Sequence, residues 1–428
     1  MSLSDNAGEL FQGFSKLTRE QRYARLLELG ALTIDDITFL DRGGLQDHIL
    51  ADKLIENVIG YFQLPLGVAT NFRIDGRDYV IPMAVEETSI IAALSKTAKW
   101  VRESGEITTH VKGHGIIGQI QLATVTDIAK FAAIFAENKQ FLIEQLNEDV
   151  VASMVRRGGG VYDLELRHMI HPQGGDMVVI HLLMDSCDAM GANIINQALE
   201  YLKTPLEYLT GEKVTMCILS NLNDQKLTFA SVRINNVDPQ LGMRLQEASI
   251  FAETDPYRAA THNKGIMNGI DPVLIATGND WRAVEAGVHA YASSTGHYRG
   301  ISHWRYRDNQ LIGELRAPII VGTVGGVTSL HPTARMCLRM LGVSSANELS
   351  RVIAAVGLIQ NLGALKALCT EGIIQGHMKL HLDNLLMTAG ANEEEIPVLK
   401  ERLQQSLAIH RRVSVTHAEE LLAEIRRA

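Results

Sequence analysis

Cysteine is scarce in this sequence, with four residues in 428 and no CxxC pair among them. Such wide spacing argues against a disulfide framework and against a zinc knuckle. We therefore expect Cys187, Cys217, Cys337 and Cys369 to pack as small, reduced apolar side chains. The Walker A phosphate loop, the HExxH metal motif and the GxSxG nucleophile turn are missing too. The function must therefore be argued from less common patterns.

Neither a basic face nor a long apolar run is evident. Acidic residues outnumber basic ones by 49 to 40, which gives a formal net charge of -9 and a pI near 5.9. Nucleic-acid binders usually carry a basic patch or stripe, so this balance disfavours that class. No apolar run approaches the roughly 18 to 20 residues that span a bilayer, and the opening segment MSLSDNAGELFQGFSK lacks a signal-peptide pattern. We expect a cytoplasmic protein that binds neither nucleic acid nor a membrane.

The N-terminal part combines a helical pattern over residues 15–59 with a hairpin. The runs NFRI and RDYVIPMAV flank Asp-Gly at 75–76, a dipeptide favoured in type I′ turns because both turn residues need positive φ. The second run leads to two glutamates at 86–87. A helix, SIIAALSKTAKWVRE, follows, and either Thr88 or Ser89 can cap it. Both glutamates are thus predicted at a strand-to-helix junction.

The middle of the chain, from Gly115 to Asn221, shows strand and helix patterns in the order βαββαβ. That order is typical of the split βαβ, or ferredoxin-like, unit, which here interrupts a larger domain. A second hairpin, ISHWRY-RDNQ-LIGELRAPII, and several helices come later. The predicted fold is therefore α+β, with a large mostly helical domain that contains hairpins, an inserted ferredoxin-like small domain and a helical C-terminal flap. The predicted bounds are 1–114 and 222–372 for the large domain, 115–221 for the small domain and 373–428 for the flap.

Two residues between positions 255 and 282 could carry chemistry. Lys264, in THNKGIMNG, is followed by glycines that permit close approach, so its ammonium could stabilise a developing oxyanion. An ordinary exposed lysine would give the same pattern. Asp280, in TGNDWR, follows an apolar run, where a buried carboxylate needs a cationic partner. It could equally cap the helix WRAVEAGVHAYA, so the sequence leaves both alternatives open.

Two more candidates come from distant segments. Glu87 could act as a general acid if burial raised its pKa, or it could merely stabilise a helix dipole. His377, in IIQGHMKLHL, follows Gly376, where the helical pattern breaks. A histidine at such a hinge can reach a site when the tail closes. It is also one of fifteen histidines, so this role is not singled out by residue type.

A possible phosphate-binding turn lies in MDSCDAMGANIINQALEYL. A strand ends within residues 185–188, a turn covers 190–193 and a helix begins at Ile194. Free amides and the positive end of the helix dipole suit a pyrophosphate. A plain strand-to-helix turn would look the same, because the single Gly191 is weak evidence beside the three glycines of the Rossmann fingerprint.

Six motifs along the chain resemble those of class II, or bacterial, hydroxymethylglutaryl-CoA (HMG-CoA) reductases and occur in that family's order. They are ENVIG at 56–60, PMAVEETS at 82–89, DAMGAN at 188–193, DPYRAATHNKGIMNGID at 255–271, ATGNDWRAVEAG at 276–287 and GIIQGHM at 372–378. The resemblance implies that HMG-CoA, two NAD(P)H and two protons interconvert with mevalonate, CoA and two NAD(P)⁺. It implies two hydride transfers and no metal or prosthetic group.

The same resemblance implies a role for each candidate residue. Lys264 would stabilise the oxyanions of the mevaldyl-CoA hemithioacetal and of the second carbonyl reduction. Asp280 would hold Lys264 and couple it to Glu87, which would give a proton to the aldehyde. His377 would protonate the departing CoA thiolate. The positions that match substrate contacts are Ser89, Arg258, Asn268 and Asn221.

The cofactor that the resemblance implies is NADH or NADPH. Some NADH-using members of the family carry an aspartate ahead of a GGG run to hold the adenosine ribose. Here that position aligns with Val151, and Asp149 comes two residues earlier, so the preference stays open. The positions that match the family's cofactor turn are Asp188, Met190, Gly191, Ala192 and Asn193.

The resemblance also implies binding partners, and the residues alone leave two other functions open. ENVIG belongs to a dimer interface in this family, so we expect at least a homodimer, with HMG-CoA, mevalonate and CoA as ligands. Two other classes fit the residues alone. One is a lysine Schiff-base enzyme that uses Lys264, and the other is a non-catalytic, nucleotide-responsive module.

Overall fold

The computed structural model describes residues 7–370, 382, 385–392, 394–410 and 413–427. Its strands are β1 Leu66–Ile74, β2 Arg77–Ala84, β3 Gly105–Lys112, β4 Ile116–Val125, β5 Gly160–Ile170, β6 Asp176–Asp185, β7 Met216–Leu219, β8 Leu227–Ile234, β9 Ser302–Arg307 and β10 Gln310–Ala317. Its helices are α1 Ala7–Leu10, α2 Arg19–Glu28, α3 Ile34–Asp41, α4 His48–Leu54, α5 Ile90–Ser104, α6 Ile128–Asp149, α7 Ala152–Val155, α8 Ala192–Thr210, α9 Pro239–Thr254, α10 Pro256–Ala276, α11 Trp281–Ala292, α12 Gly326–Leu330, α13 Pro332–Leu341, α14 Ala346–Cys369, α15 Glu395–His410 and α16 Val415–Ile425. Two sheets and many helices confirm the predicted α+β class.

The larger sheet has six strands in the order β2-β1-β3-β8-β10-β9. The two predicted hairpins, β1 with β2 and β9 with β10, lie at its opposite edges. Asp75 and Gly76 both adopt positive φ, 50° and 79°, as a type I′ turn requires. Strands β3 and β8 were not predicted from the sequence, and they join the two hairpins into one sheet.

The smaller sheet has four strands in the order β5-β6-β4-β7, and all neighbouring strands are antiparallel. Helix α6 follows β4, and α8 connects β6 with β7. This arrangement is the ferredoxin-like order that the sequence predicted. The first helical pattern, however, divides into α6 and the short α7, because the amide of Val151 bonds back to the carbonyl of Leu146 and ends α6. The domain bounds themselves stay a prediction.

Helix α14 lies at the centre of the main core. Its length and composition alone would allow it to cross a membrane, contrary to the expectation of no long apolar run, but 67% of its most apolar window is buried within the protein. Glycines bring it close to α10. A Cβ added to Gly269 would lie 2.8 Å from the Cβ of Gln360, and one added to Gly357 would lie 2.8 Å from Cγ1 of Ile270. Any larger side chain would force the two helices apart.

The described tail residues have a small core of their own. Leu399 and Leu403 of α15 pack with Ala418 and Leu422 of α16 and with Leu386. Leucines at three- and four-residue spacing form this contact between the two helices.

All four cysteines are free, as predicted. Cys337 is fully buried, whereas the other three are half-buried. The expectation of buried apolar packing therefore holds for one cysteine and fails for three.

Candidate active site

An ion pair joins the end of the first hairpin to α10. Oε2 of Glu87 lies 3.2 Å from Nζ of Lys264, although 177 positions separate the two residues. Strand β2 ends at Ala84, so Glu87 follows the sheet edge directly and precedes α5, as predicted. The carboxylate and ammonium side chains are 41% and 61% exposed. A carboxyl group and a cation thus meet at an open surface that a ligand can reach.

Ser89 is strained and lacks a hydrogen-bond partner. It occupies the N-cap position of α5 with φ 76°, in the left-handed region. Its side chain makes no capping hydrogen bond, so the predicted cap at this residue is wrong. Its Oγ is buried and finds no partner among the described residues. Strain and an unpaired buried hydroxyl are both more common at functional sites than elsewhere.

One face of α10 runs through the candidate site. Lys264 and Asn268 are four residues apart and share this face. At the start of the helix, Asp255 accepts a hydrogen bond from the amide of Arg258. Burial lowers the pKa of the Arg258 guanidinium, and no carboxylate among the described residues forms an ion pair with it. A half-buried cation without an acidic partner is suited to an anionic ligand.

Asp280 is the N-cap of α11. Its Oδ1 accepts a hydrogen bond from the amide of Ala283 at 3.2 Å and lies 3.2 Å from Nε of Arg282. Within the described part of the chain, no ion pair or hydrogen bond joins Asp280 to Lys264. The structure therefore favours the helix-cap alternative for Asp280. The direct contact between Asp280 and Lys264 that the resemblance implies is not formed.

The candidate cofactor turn lies between β6 and α8. Helix α8 begins at Ala192, two residues before the predicted start, and Gly191 is its N-cap with φ 90° and no capping side chain. A Cβ added to Gly191 would lie 2.6 Å from Cδ1 of Ile116. The glycine therefore keeps the first amides of α8 uncovered.

Asp188 ties this turn to the large domain. Its Oδ1 accepts a hydrogen bond from the amide of Ala346, at the start of α14, over 2.8 Å, and its carbonyl accepts one from Thr323 over 2.9 Å. A Cβ added to Gly322 would lie 2.7 Å from the amide nitrogen of Met190. The carboxylate of Asp188 thus holds the turn in place.

A pocket lies between the small sheet and α11. Beside it, a Cβ on Gly287 of α11 would lie 2.5 Å from the carbonyl of Asn221, so the two parts approach closely. The candidate cofactor turn and the N-terminal end of α11 therefore share one pocket. Residues lining it include Ile116, Met190, Ala192, Asn221, Ala283 and Val284.

The adenosine-ribose position differs from that of some NADH-using relatives. Val151 is fully buried, so its side chain cannot hold a ribose. Asp149 accepts a hydrogen bond from the hydroxyl of Tyr201 and is already engaged. Neither residue supports a specific preference for NADH.

Sequence reasoning missed two groups near the candidate site. Lys226, in the turn before β8, is half-buried, and burial lowers the pKa of its ammonium, although the negative charges of Asp185 and Asp188 act in the opposite direction. Asp271 and Glu285 form a carboxyl pair between α10 and α11. The sequence offered no signal for Asp271, because no helix was predicted over this segment. Lys226, a lysine in a polar turn, offered none either.

His377 falls outside the described residues, as does the whole GIIQGHM motif. Its predicted approach to Lys264 and Glu87 therefore stays a prediction.

Comparisons with known proteins agree with the sequence motifs. Residues 19–382 match the family model described as hydroxymethylglutaryl-coenzyme A reductase. A 3-hydroxy-3-methylglutaryl-coenzyme A reductase of Archaeoglobus fulgidus is 43% identical over 420 residues, which cover 97% of this chain and 94% of that protein. A probable enzyme of the same name from Borreliella burgdorferi is 34% identical over 394 residues, covering 90% and 87% of the two chains.

Solved structures give the same result. A 3-hydroxy-3-methylglutaryl-coenzyme A reductase of Streptococcus pneumoniae superposes with a TM-score of 0.82 at 39% identity, covering 97% of this chain and 99% of the other. A structure of the class II enzyme of that organism, bound to NADPH in open conformations, gives a TM-score of 0.80 at 39% identity and covers 84% and 100%.

The capping role of Asp280 predicts different stabilities for two variants. Asp280→Ala removes the cap and should lower the free energy of unfolding by about 1 kcal/mol. Asp280→Asn keeps a side-chain oxygen for the amide of Ala283 and should change stability far less. Urea denaturation at pH 7 compares the two. Equal losses in both variants would contradict the capping role.

Proposed function

The chain belongs to the hydroxymethylglutaryl-coenzyme A reductase family, and from that premise we propose how its residues carry the reaction. It is an NAD(P)-dependent oxidoreductase that interconverts (S)-HMG-CoA, two NAD(P)H and two protons with (R)-mevalonate, CoA and two NAD(P)⁺. The contact of 3.2 Å between Lys264 and Glu87 carries the proposal, because it joins an oxyanion stabiliser to a proton donor. The comparisons do not support the Schiff-base enzyme or the non-catalytic module.

The first reduction needs stabilisation of a negative oxygen. When bound, the nicotinamide cofactor would supply hydride to the thioester carbonyl, which would leave the oxygen of the hemithioacetal anionic. The Lys264 ammonium is placed to stabilise that oxygen. To Asp280, the N-cap of α11, we assign the role that the family resemblance implies, a negative charge that orients this ammonium once substrate fills the site.

The second half of the reaction needs two protons. CoA leaves as a thiolate, and we assign its protonation to His377, whose ordinary pKa lies near neutral pH. Glu87, after taking up one of the two protons that the overall reaction consumes, gives it to the aldehyde oxygen as the second hydride arrives. Its ion pair with Lys264 keeps the proton donor and the oxyanion stabiliser at the same carbonyl.

Substrate binding uses the unpaired groups around this centre. The half-buried guanidinium of Arg258 binds the carboxylate of the HMG group, which can accept two parallel hydrogen bonds. The buried Oγ of Ser89 is available to the substrate carbonyl. Asn268 lies one helical turn beyond Lys264, and Asn221 lines the neighbouring pocket. We assign both amides to polar contacts with the substrate.

Cofactor binding is assigned to the start of α8, within the small domain at 115–221. Met190, Gly191, Ala192 and Asn193 present main-chain groups at a helix N-terminus, where a pyrophosphate is favoured. Asp188 supports the turn from behind. The S. pneumoniae relative was bound to NADPH, and we expect this chain to accept NADPH as well.

Lys264→Ala should lower kcat by about 100- to 1000-fold, because one oxyanion-stabilising group is lost. The measurement is the fall in nicotinamide absorbance with HMG-CoA and either NADPH or NADH. Lys213→Ala, at an 85% exposed lysine, is the matched control and should retain the wild-type rate. If the unaltered protein turned over neither cofactor in either direction, the proposed function would be wrong.

We propose a cytoplasmic homodimer whose interface includes ENVIG. Ile59 is fully exposed and Phe62 is 93% exposed in the described chain. Large apolar side chains this exposed and this close together are typical of protein interfaces. The family resemblance supports the same surface as the dimer interface, where two subunits would together form one composite site.

Ile59→Asp should therefore shift the protein toward monomer, because a charge at the interface centre must be desolvated. Sedimentation velocity measures the change, and activity should fall with it. Ile170→Asp, at a 70% exposed isoleucine at the end of β5, should leave the assembly intact. A monomeric parent protein, or a dimer unaffected by Ile59→Asp, would contradict this interface.

A further inference from the structure

A carboxyl pair connects the two helices that carry Lys264 and Asp280. Asp271 lies on the same face of α10 as Lys264, two turns or about 10 Å farther along the helix. Glu285 lies on α11, the helix that Asp280 caps. Its carboxylate is within hydrogen-bonding reach of Asp271.

The geometry of the pair requires a proton. Oδ1 of Asp271 is buried, and no donor among the described residues reaches it. Its close neighbour is another carboxyl group, and two ionised carboxylates in contact would repel each other. One proton held between them turns this repulsion into an O–H···O hydrogen bond.

The surroundings of Asp271 favour the protonated form. Burial, followed by the negative charge of Glu285, raises the pKa of Asp271 from 3.8 to about 8. The elements that pack on α10 are α5, α9, α11, α13, α14 and β2. Of the titratable groups described on them, Glu285 is the one that shifts this pKa.

We infer that Asp271 and Glu285 share one proton, and that their hydrogen bond positions α11, with Asp280, against α10, with Lys264. Asp271 and Glu285 are thus positioning residues that do not touch the substrate. The catalytic part of this inference rests on the proposed function. The shared proton itself is a property of the fold and can be tested without any activity.

Loss of the proton should loosen the site at alkaline pH. Because the pKa of Asp271 is raised by folding, its stabilising contribution is complete below about pH 4 and is lost progressively as pH rises to about 8. Above that pH, both carboxylates are negative and repel. Helix α11 then loses its fixed position relative to α10, and kcat should fall.

Asp271→Asn tests the shared proton, because an amide donates to Glu285 at every pH. Thermal unfolding is measured from pH 5 to pH 9 for the parent protein, for this variant and for Asp308→Asn. Asp308 lies in the exposed turn between β9 and β10 and serves as the matched control. The Tm of Asp271→Asn relative to the parent should rise steadily up to about pH 8 and then level off. A difference that does not vary with pH would overturn the inference.

The pH dependence of kcat tests the positioning role. In the parent and in Asp308→Asn, kcat should fall about tenfold per pH unit above pH 8, the slope for one ionisation. Asp271→Asn should shift this alkaline fall to higher pH, and Glu285→Gln should do the same because its amide donates to Asp271. Unchanged kcat profiles beside the expected Tm profiles would overturn the positioning role. An inactive parent protein would overturn the proposed function while leaving the Tm comparison decisive for the proton.

Discussion

The close packing of α10 against α14 is the constraint on which the rest of the site depends. Gly269 and Gly357 allow the two helices to approach, and each has a partner side chain at a distance that a Cβ could not tolerate. The buried chain of hydrogen bonds from His262 to Ser302 at 2.6 Å, and from Ser302 to Asn361 at 2.9 Å, fixes α10 to β9 and α14. Only with α10 held in this way can Lys264 meet a glutamate that follows β2.

The small domain depends on the same helix pair through α14. Asp188 bonds to the first turn of α14, and the main chain at Gly322 lies against Met190. These contacts place the start of α8 beside the pocket that α11 also lines. Helix α14 therefore positions both the candidate cofactor turn and, through α10, Lys264. Hydride transfer requires such fixed placement of donor and acceptor.

Local signals in the sequence predicted local features well. Asp75-Gly76 determined the hairpin, because few dipeptides tolerate two positive φ angles. Strand and helix periodicity predicted the order of the small sheet. Helix α10 was not predicted, because Gly265, Gly269 and Pro272 each disfavour a helix interior and only tertiary packing overrides them.

Contacts between residues far apart in the chain were harder to predict from the sequence. The sequence named Glu87 and Lys264 as candidates, yet their meeting depended on the family resemblance and not on spacing. The cap at Ser89 was wrong because its backbone adopts a left-handed conformation that propensity does not anticipate. The carboxyl pair of Asp271 and Glu285 is created by packing between two helices. Burial and unpaired polar atoms exist only in the folded chain, and they identified these residues.

The central claim is that Glu87 and Lys264 act as one unit at the reacting carbonyl. A double-mutant cycle in kcat/KM, with Glu87→Gln, Lys264→Ala and the double variant, measures this coupling directly, because independent residues have additive effects on the activation free energy. If the two residues act as one unit, the double variant should be no slower than about the slower single variant. Additive losses, with the double variant slower by the product of the two single effects, would contradict it.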